Sequence, residues 1–203
     1  MSEVEAKPAK DGRVAAGTMV VVVGPSGAGK DTLMALAARH FAGSADVHFV
    51  RRVITRNVDA GGEDHRSVSE NDFDAMQRAA SFAVWWSAHG LKYGIPASVL
   101  EELAKGRLVI ANGSRSVLDR FAAVFPRMTV INVTARPDVL AERLQARGRE
   151  TRDDILKRLA RETPVIKGRY DVIDIDNSGA LAEASRAVVE ALDAIIARQG
   201  CSR

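Results

Sequence analysis

Residues Gly24-Pro25-Ser26-Gly27-Ala28-Gly29-Lys30 constrain this chain more than any other stretch. A β-branched run, Met19–Val23, precedes them, and Leu33, Leu36, Ala37 and Phe41 follow at helical spacing. A strand, a glycine-rich turn and a helix opening on lysine form the context of a phosphate-binding loop. The glycines permit backbone conformations closed to other residues, so successive N–H groups can point at phosphate oxygens. The helix N-terminus adds partial positive charge. Lys30 is placed to reach the outer phosphates of a nucleoside triphosphate and to travel with a transferring phosphoryl group. A purely structural glycine turn would not require the full spacing, the lysine and the helix together.

The position after the lysine is normally Ser or Thr, a magnesium ligand, but here it is Asp31, followed by Thr32. A carboxylate beside a triphosphate is repelled unless a cation lies between them. Asp31 is therefore expected to bind Mg²⁺, directly or through water. The alternative is an acidic residue favoured by the helix dipole, with Thr32 or water serving the metal.

Beyond the loop, strand and helix patterns alternate. Strands are expected at Val50–Ile54, Leu108–Ala111, Thr129–Val133 and Val172–Ile175. Helices are expected at Glu70–Arg78, Ala97–Lys105, Pro137–Arg147, Arg152–Glu162 and Ala180–Ala197. This order implies an α/β fold, a mostly parallel sheet flanked by helices, with its ligand site at the carboxyl ends of the strands. The reading is one domain over residues 17–200 behind a disordered tail, residues 1–16. Residues 55–95, richer in Gly, His and charge, read as an inserted acceptor-binding subdomain. Residues 143–158 read as a polar lid.

Composition narrows the partners. With 203 residues, 46% apolar and 27% charged, the chain can bury a substantial core. No apolar run reaches the roughly 20 residues of a membrane span, and the first residues lack a secretory core. A net charge of +3 with arginines clustered at 51–56 and 143–161 suits a compact phosphate pocket better than a nucleic-acid footprint. The single cysteine, Cys201, can form no internal disulfide, so a reducing cytoplasm is expected. No membrane or nucleic-acid partner is expected; oligomeric state is not legible.

From Gly24 to Asn177 the chain resembles the guanylate kinase-like branch of the nucleoside monophosphate kinases. The resemblance is carried by GPSGAGK, Thr55-Arg56 with Gly62-Glu63-Asp64, Phe82, Trp85, His89-Gly90 and Tyr93-Gly94. Arg143, Arg147 and Arg158 continue it on the lid side, with Asp176-Asn177 near the end. It implies acceptor-phosphate roles for Arg56 and Tyr93. It departs at the base-reading positions. Val84 stands two residues before Trp86, where a carboxylate would read guanine, and Asn112-Gly113-Ser114 replaces an Asp-rich turn. Asp59 replaces a second phosphate-binding arginine. Valine accepts no hydrogen bond, which disfavours a guanine acceptor.

The replacements are themselves coherent. GPSGAGKD, Ile54-Thr55-Arg56, Gly61 to His65, His89 to Pro96, Asn112 to Arg115 and Ile175 to Gly179 are similar to the ribose 1,5-bisphosphate phosphokinases of phosphonate degradation. That resemblance implies ATP as co-substrate with Mg²⁺, and phosphorylation of ribose 1,5-bisphosphate to 5-phosphoribosyl 1-diphosphate. The acceptor is then a phosphate oxygen, ionised near neutral pH, so no general base is required. Positioning and charge neutralisation carry such a reaction.

In this reading Gly24 to Gly29, Lys30, Asp31 and Thr32 hold the nucleotide phosphates, and Asp176 and Asn177 border the adenine. Arg143 and Arg147, four residues apart on one helix face, close with Arg158 over the transferring group. Arg52, Arg56, Tyr93 and Arg115 are the candidates for the acceptor's phosphates. Glu63, Asp64 and Asn112 are assigned to the ribose hydroxyls, and Ser114 and His65 to the same site. Trp85 and Trp86 read as core aromatics and His89 as structural. Two rival readings are a nucleoside monophosphate kinase with altered base choice and a non-catalytic guanylate kinase-like interaction module. The retained Gly24, Gly29 and Lys30 weigh against the second.

Overall fold

The structure, a computed structural model, describes residues 17–56, 63–146 and 166–200. The tail expected over residues 1–16, the helix expected over 152–162 and most of the expected lid lie outside the described residues. No helix among the described residues is long and apolar enough to cross a membrane.

The elements are β1 (Thr18–Val23), α1 (Lys30–His40), β2 (Val47–Phe49), β3 (Val53–Ile54), β4 (Arg66–Ser67) and α2 (Glu70–Arg78). They continue with β5 (Phe82–Ala88), β6 (Leu91–Pro96), α3 (Val99–Ala104), β7 (Leu108–Asn112) and α4 (Leu118–Val124), the last preceded by a 3₁₀ turn at Arg115–Val117. The series closes with β8 (Met128–Thr134), α5 (Pro137–Ala146), β9 (Asp171–Asp176) and α6 (Leu181–Gly200).

Five strands form one parallel sheet in the order β2-β7-β1-β8-β9. Central β1 is buried along its whole length because both faces of the sheet are covered. Side chains alternate along a strand, and the core divides accordingly. Val20 and Val22 pack with Leu33 and Ala37 of α1, Leu140 of α5 and Val188 and Leu192 of α6. Met19, Val21 and Val23 pack on the other face, with Leu103 of α3, Phe121 of α4 and Trp86 of β5.

A second sheet, in the order β4-β3-β6-β5, lies within the stretch between β2 and α3. Its centre is the β5–β6 hairpin, antiparallel, with Trp86 opposite Tyr93. Of the strand expected at Val50–Ile54, only Val53–Ile54 forms, and the preceding Val47–Phe49 is a separate strand that was not expected. Val47–Phe49 runs beside β7 in the large sheet, and Val53–Ile54 belongs to the small one. Spacing along residues 47–54 carries no mark of where the chain leaves one sheet for another. Strands β5 and β6 and helix α4 were not anticipated either. The hairpin alternates poorly, and α4 is only two turns long.

Candidate functional site

Strands β1 and β7 are register partners, Val22 beside Asn112, so their carboxyl ends deliver the phosphate loop and Asn112 to one place. The loop turns on glycines. Gly24 has φ +149°, and a Cβ there would lie 2.1 Å from the Val133 carbonyl oxygen. Gly29 has φ +87°, and a Cβ there would lie 2.5 Å from Asn177 Nδ2. Asn177, 1% exposed, donates from Nδ2 to the Ala28 carbonyl at 2.8 Å. It therefore props the loop from behind. Asp176 accepts from the Ser178 backbone N–H at 2.9 Å, closing the turn after β9. Helix α5 closes over the loop, with Leu144 against Gly27.

Lys30 folds over this loop, donating to the carbonyls of Gly24 at 2.9 Å and Pro25 at 3.1 Å. Burial lowers its pKa from 10.5 to about 8. The charges of Arg52 and Arg115 lower it further, while Asp31 and Glu63 act the other way. Burial also lowers the pKa of Arg115, which opens the 3₁₀ turn after β7. Asp31 and Thr32 are exposed on the first turn of α1, and Ser26 at the loop's tip.

Facing the loop is a linked set of polar side chains. Asn112 Nδ2 lies 2.9 Å from Asp31 Oδ1 and 2.8 Å from Glu63 Oε2. Arg52 Nε donates to Glu63 Oε1 at 2.7 Å, and a second bond joins the Arg52 terminal nitrogen to the same oxygen. The pair is nearly buried, 9% and 14% exposed, so it owes its value to geometry more than to bare attraction. The Arg52 guanidinium lies 5.1 Å from the Tyr93 ring centre and 5.6 Å from that of Trp86. The two rings stack at 5.3 Å.

Other expected site residues are placed differently. Asp64 points to the surface and pairs with exposed Arg51 at 2.9 Å. His65 is buried, with one ring nitrogen 2.9 Å from the Glu63 carbonyl and the other 3.2 Å from that of Arg56. It braces the loop that carries Glu63. Ser114 bonds Ser116 at 2.9 Å. Arg56 Nε and one terminal nitrogen of Arg143 are buried with no hydrogen-bond partner among the described residues. Buried N–H groups left unpaired cost free energy, so both are natural seats for anionic oxygen. Arg147 and Arg158 lie outside the described residues. Val84 is buried in the core, and Trp86 beside it was read as core alone, without its stacking on Tyr93 or its contact with Arg52. Spacing along β5 carries no signal for contacts made across a hairpin.

A parallel sheet with a phosphate loop at the end of its central strand, an inserted small sheet and a lysine-centred polar pocket define a guanylate kinase-like P-loop kinase fold. A solved guanylate kinase from Anaplasma phagocytophilum superimposes with a TM-score of 0.64 over 88% of this chain and 85% of its own, at 16% identity. The AAA domain family model matches residues 20–163. Ribose 1,5-bisphosphate phosphokinase PhnN of Rhizobium etli is 65% identical over 181 residues, 89% of this chain and 92% of that protein. The Agrobacterium fabrum protein of the same name is 56% identical over 174 residues, 86% of this chain and 95% of its own. The chain belongs to the ribose 1,5-bisphosphate phosphokinase family, within the P-loop class that the AAA domain model describes.

Proposed function

We propose that this chain transfers the γ-phosphoryl group of ATP to the 1-phosphate of ribose 1,5-bisphosphate, releasing ADP and 5-phosphoribosyl 1-diphosphate. A 1-phosphate oxygen attacks the γ-phosphorus, the bond to the ADP oxygen breaks, and no proton need be removed from the acceptor. The observation that carries the reading is the surroundings of Arg52. Its guanidinium sits over Tyr93 and Trp86 and faces the phosphate loop through Glu63 and Asn112. Val84 and Trp86 project from β5 into the apolar core, so that strand offers no carboxylate to a purine edge. Such a pocket suits a sugar carrying phosphates, and its β5 side gives a guanine no acceptor.

In this reading Lys30 neutralises the ATP phosphates, and Arg143 covers the transferring group together with Arg147 and Arg158. Arg56, Arg115, Tyr93 and Arg52 take the acceptor's phosphates. The carboxylate of Asp31, exposed beside Lys30, fits a magnesium ion that keeps most of its waters and borrows oxygens from phosphate. Bound there, the ion would neutralise charge on the β- and γ-phosphates. The test is ADP release with ribose 1,5-bisphosphate, GMP, AMP and dCMP offered in parallel. Turnover confined to the sugar bisphosphate supports the assignment, and turnover of GMP alone overturns it.

A further inference from the structure

Asn112 ends β7 beside the phosphate loop, and only 4% of it is exposed. Its amide nitrogen carries two hydrogens, one directed to Asp31 Oδ1 and one to Glu63 Oε2. It has no third N–H to donate to the acceptor, so only its carbonyl oxygen is left to meet a sugar hydroxyl while both carboxylates are held. We propose that Asn112 is a positioning residue that sets Asp31 and Glu63 relative to one another and so couples the cation side of the site to the acceptor side. This rests on the reading of Asp31 as a ligand toward the nucleotide-bound cation.

The physical case is one of charge and reach. Two carboxylates from distant parts of the chain meet here and repel each other. A neutral side chain with two N–H groups holds both without adding charge. Aspartate at the same place would bring a third carboxylate and no donor, and leucine would fill the volume and hold neither. The contacts then continue outward, because the other oxygen of Glu63 takes Arg52, which lies over Tyr93 and Trp86. One line of bonded side chains thus runs from the aromatic pair to the first turn of α1.

The test uses the full chain as Asn112→Leu, Asn112→Ala and Asp31→Asn, each checked for folding by circular dichroism. Mn²⁺ affinity is read by electron paramagnetic resonance in the presence of a non-hydrolysable ATP analogue and without acceptor. Acceptor KM is read separately. Removing a partner that orients a metal ligand typically costs about 10-fold or more in metal affinity. The expectation for Asn112→Leu is a loss of about that size in Mn²⁺ affinity together with a raised acceptor KM. Asn112→Ala should repeat both effects, and it carries the test if the leucine variant does not fold. A raised acceptor KM with unchanged Mn²⁺ affinity would make Asn112 a plain acceptor ligand and overturn the proposal, as would no change in either. If Asp31→Asn also leaves Mn²⁺ affinity unchanged, the metal reading of Asp31 fails. If only the Asn112 variants leave it unchanged, the positioning role fails alone.

Discussion

Lys30 shows how burial sets a working range. Its pKa of about 8 means the free enzyme loses the ammonium as pH rises through that value. kcat/KM for ATP should therefore fall above about pH 8, while kcat holds to higher pH because bound phosphates stabilise the charged form. Lys30→Arg, which stays charged throughout, should lose this alkaline limb at lower overall activity. A pH–rate profile of both proteins decides it. Lys30→Ala should lower kcat/KM by about 100- to 1000-fold, the scale on which a fixed charge-stabilising donor acts. At Gly29 the constraint is steric. Alanine there would need a left-handed backbone and would press on Asn177. The expected cost is about 1–3 kcal/mol, visible in denaturant unfolding, with ATP-analogue affinity reduced as the loop shifts.

Among the elements, the β5–β6 hairpin shows how packing serves the site. Trp86 fills the core below the hairpin while its ring backs Tyr93 and Arg52. Trp86→Ala should cost about 3–5 kcal/mol, as large core truncations do. It should also raise acceptor KM, because Arg52 loses the surface it rests on. Trp86→Phe should recover most of the stability, and equilibrium unfolding of both variants tests this. The phosphate loop and α1 are the opposite case. Their conformation follows from a short run of glycines and a lysine in sequence, which is why β1, the loop and α1 were legible in advance. The placing of Val47–Phe49 in one sheet and Val53–Ile54 in the other was not, since nothing local in that stretch marks which sheet each residue joins.

For the whole molecule, the donor loop belongs to the large sheet and the acceptor residues largely to the small one, joined by Arg52, Glu63, Asn112 and Asp31. A ligand at 100 times its Kd adds about 2.7 kcal/mol to the stability of the state it binds. Mg²⁺ with an ATP analogue should raise the unfolding temperature, and adding the acceptor should raise it further. Differential scanning calorimetry with each ligand and both together would measure this. An acceptor that adds nothing on top of the nucleotide would contradict a shared site.

Sequence alone determined the parallel α/β class and the phosphate loop with its lysine. Each is written in residue types at local spacing, and local backbone preferences are enough to express it. Only the tertiary structure decided that Asn112 spends both its hydrogens on carboxylates 81 and 49 residues away, that Asp64 turns outward, and that Asn177 holds the loop. Those contacts join segments with no relation along the chain. They exist because the parallel strands of the sheet bring their carboxyl ends together, which no local pattern encodes.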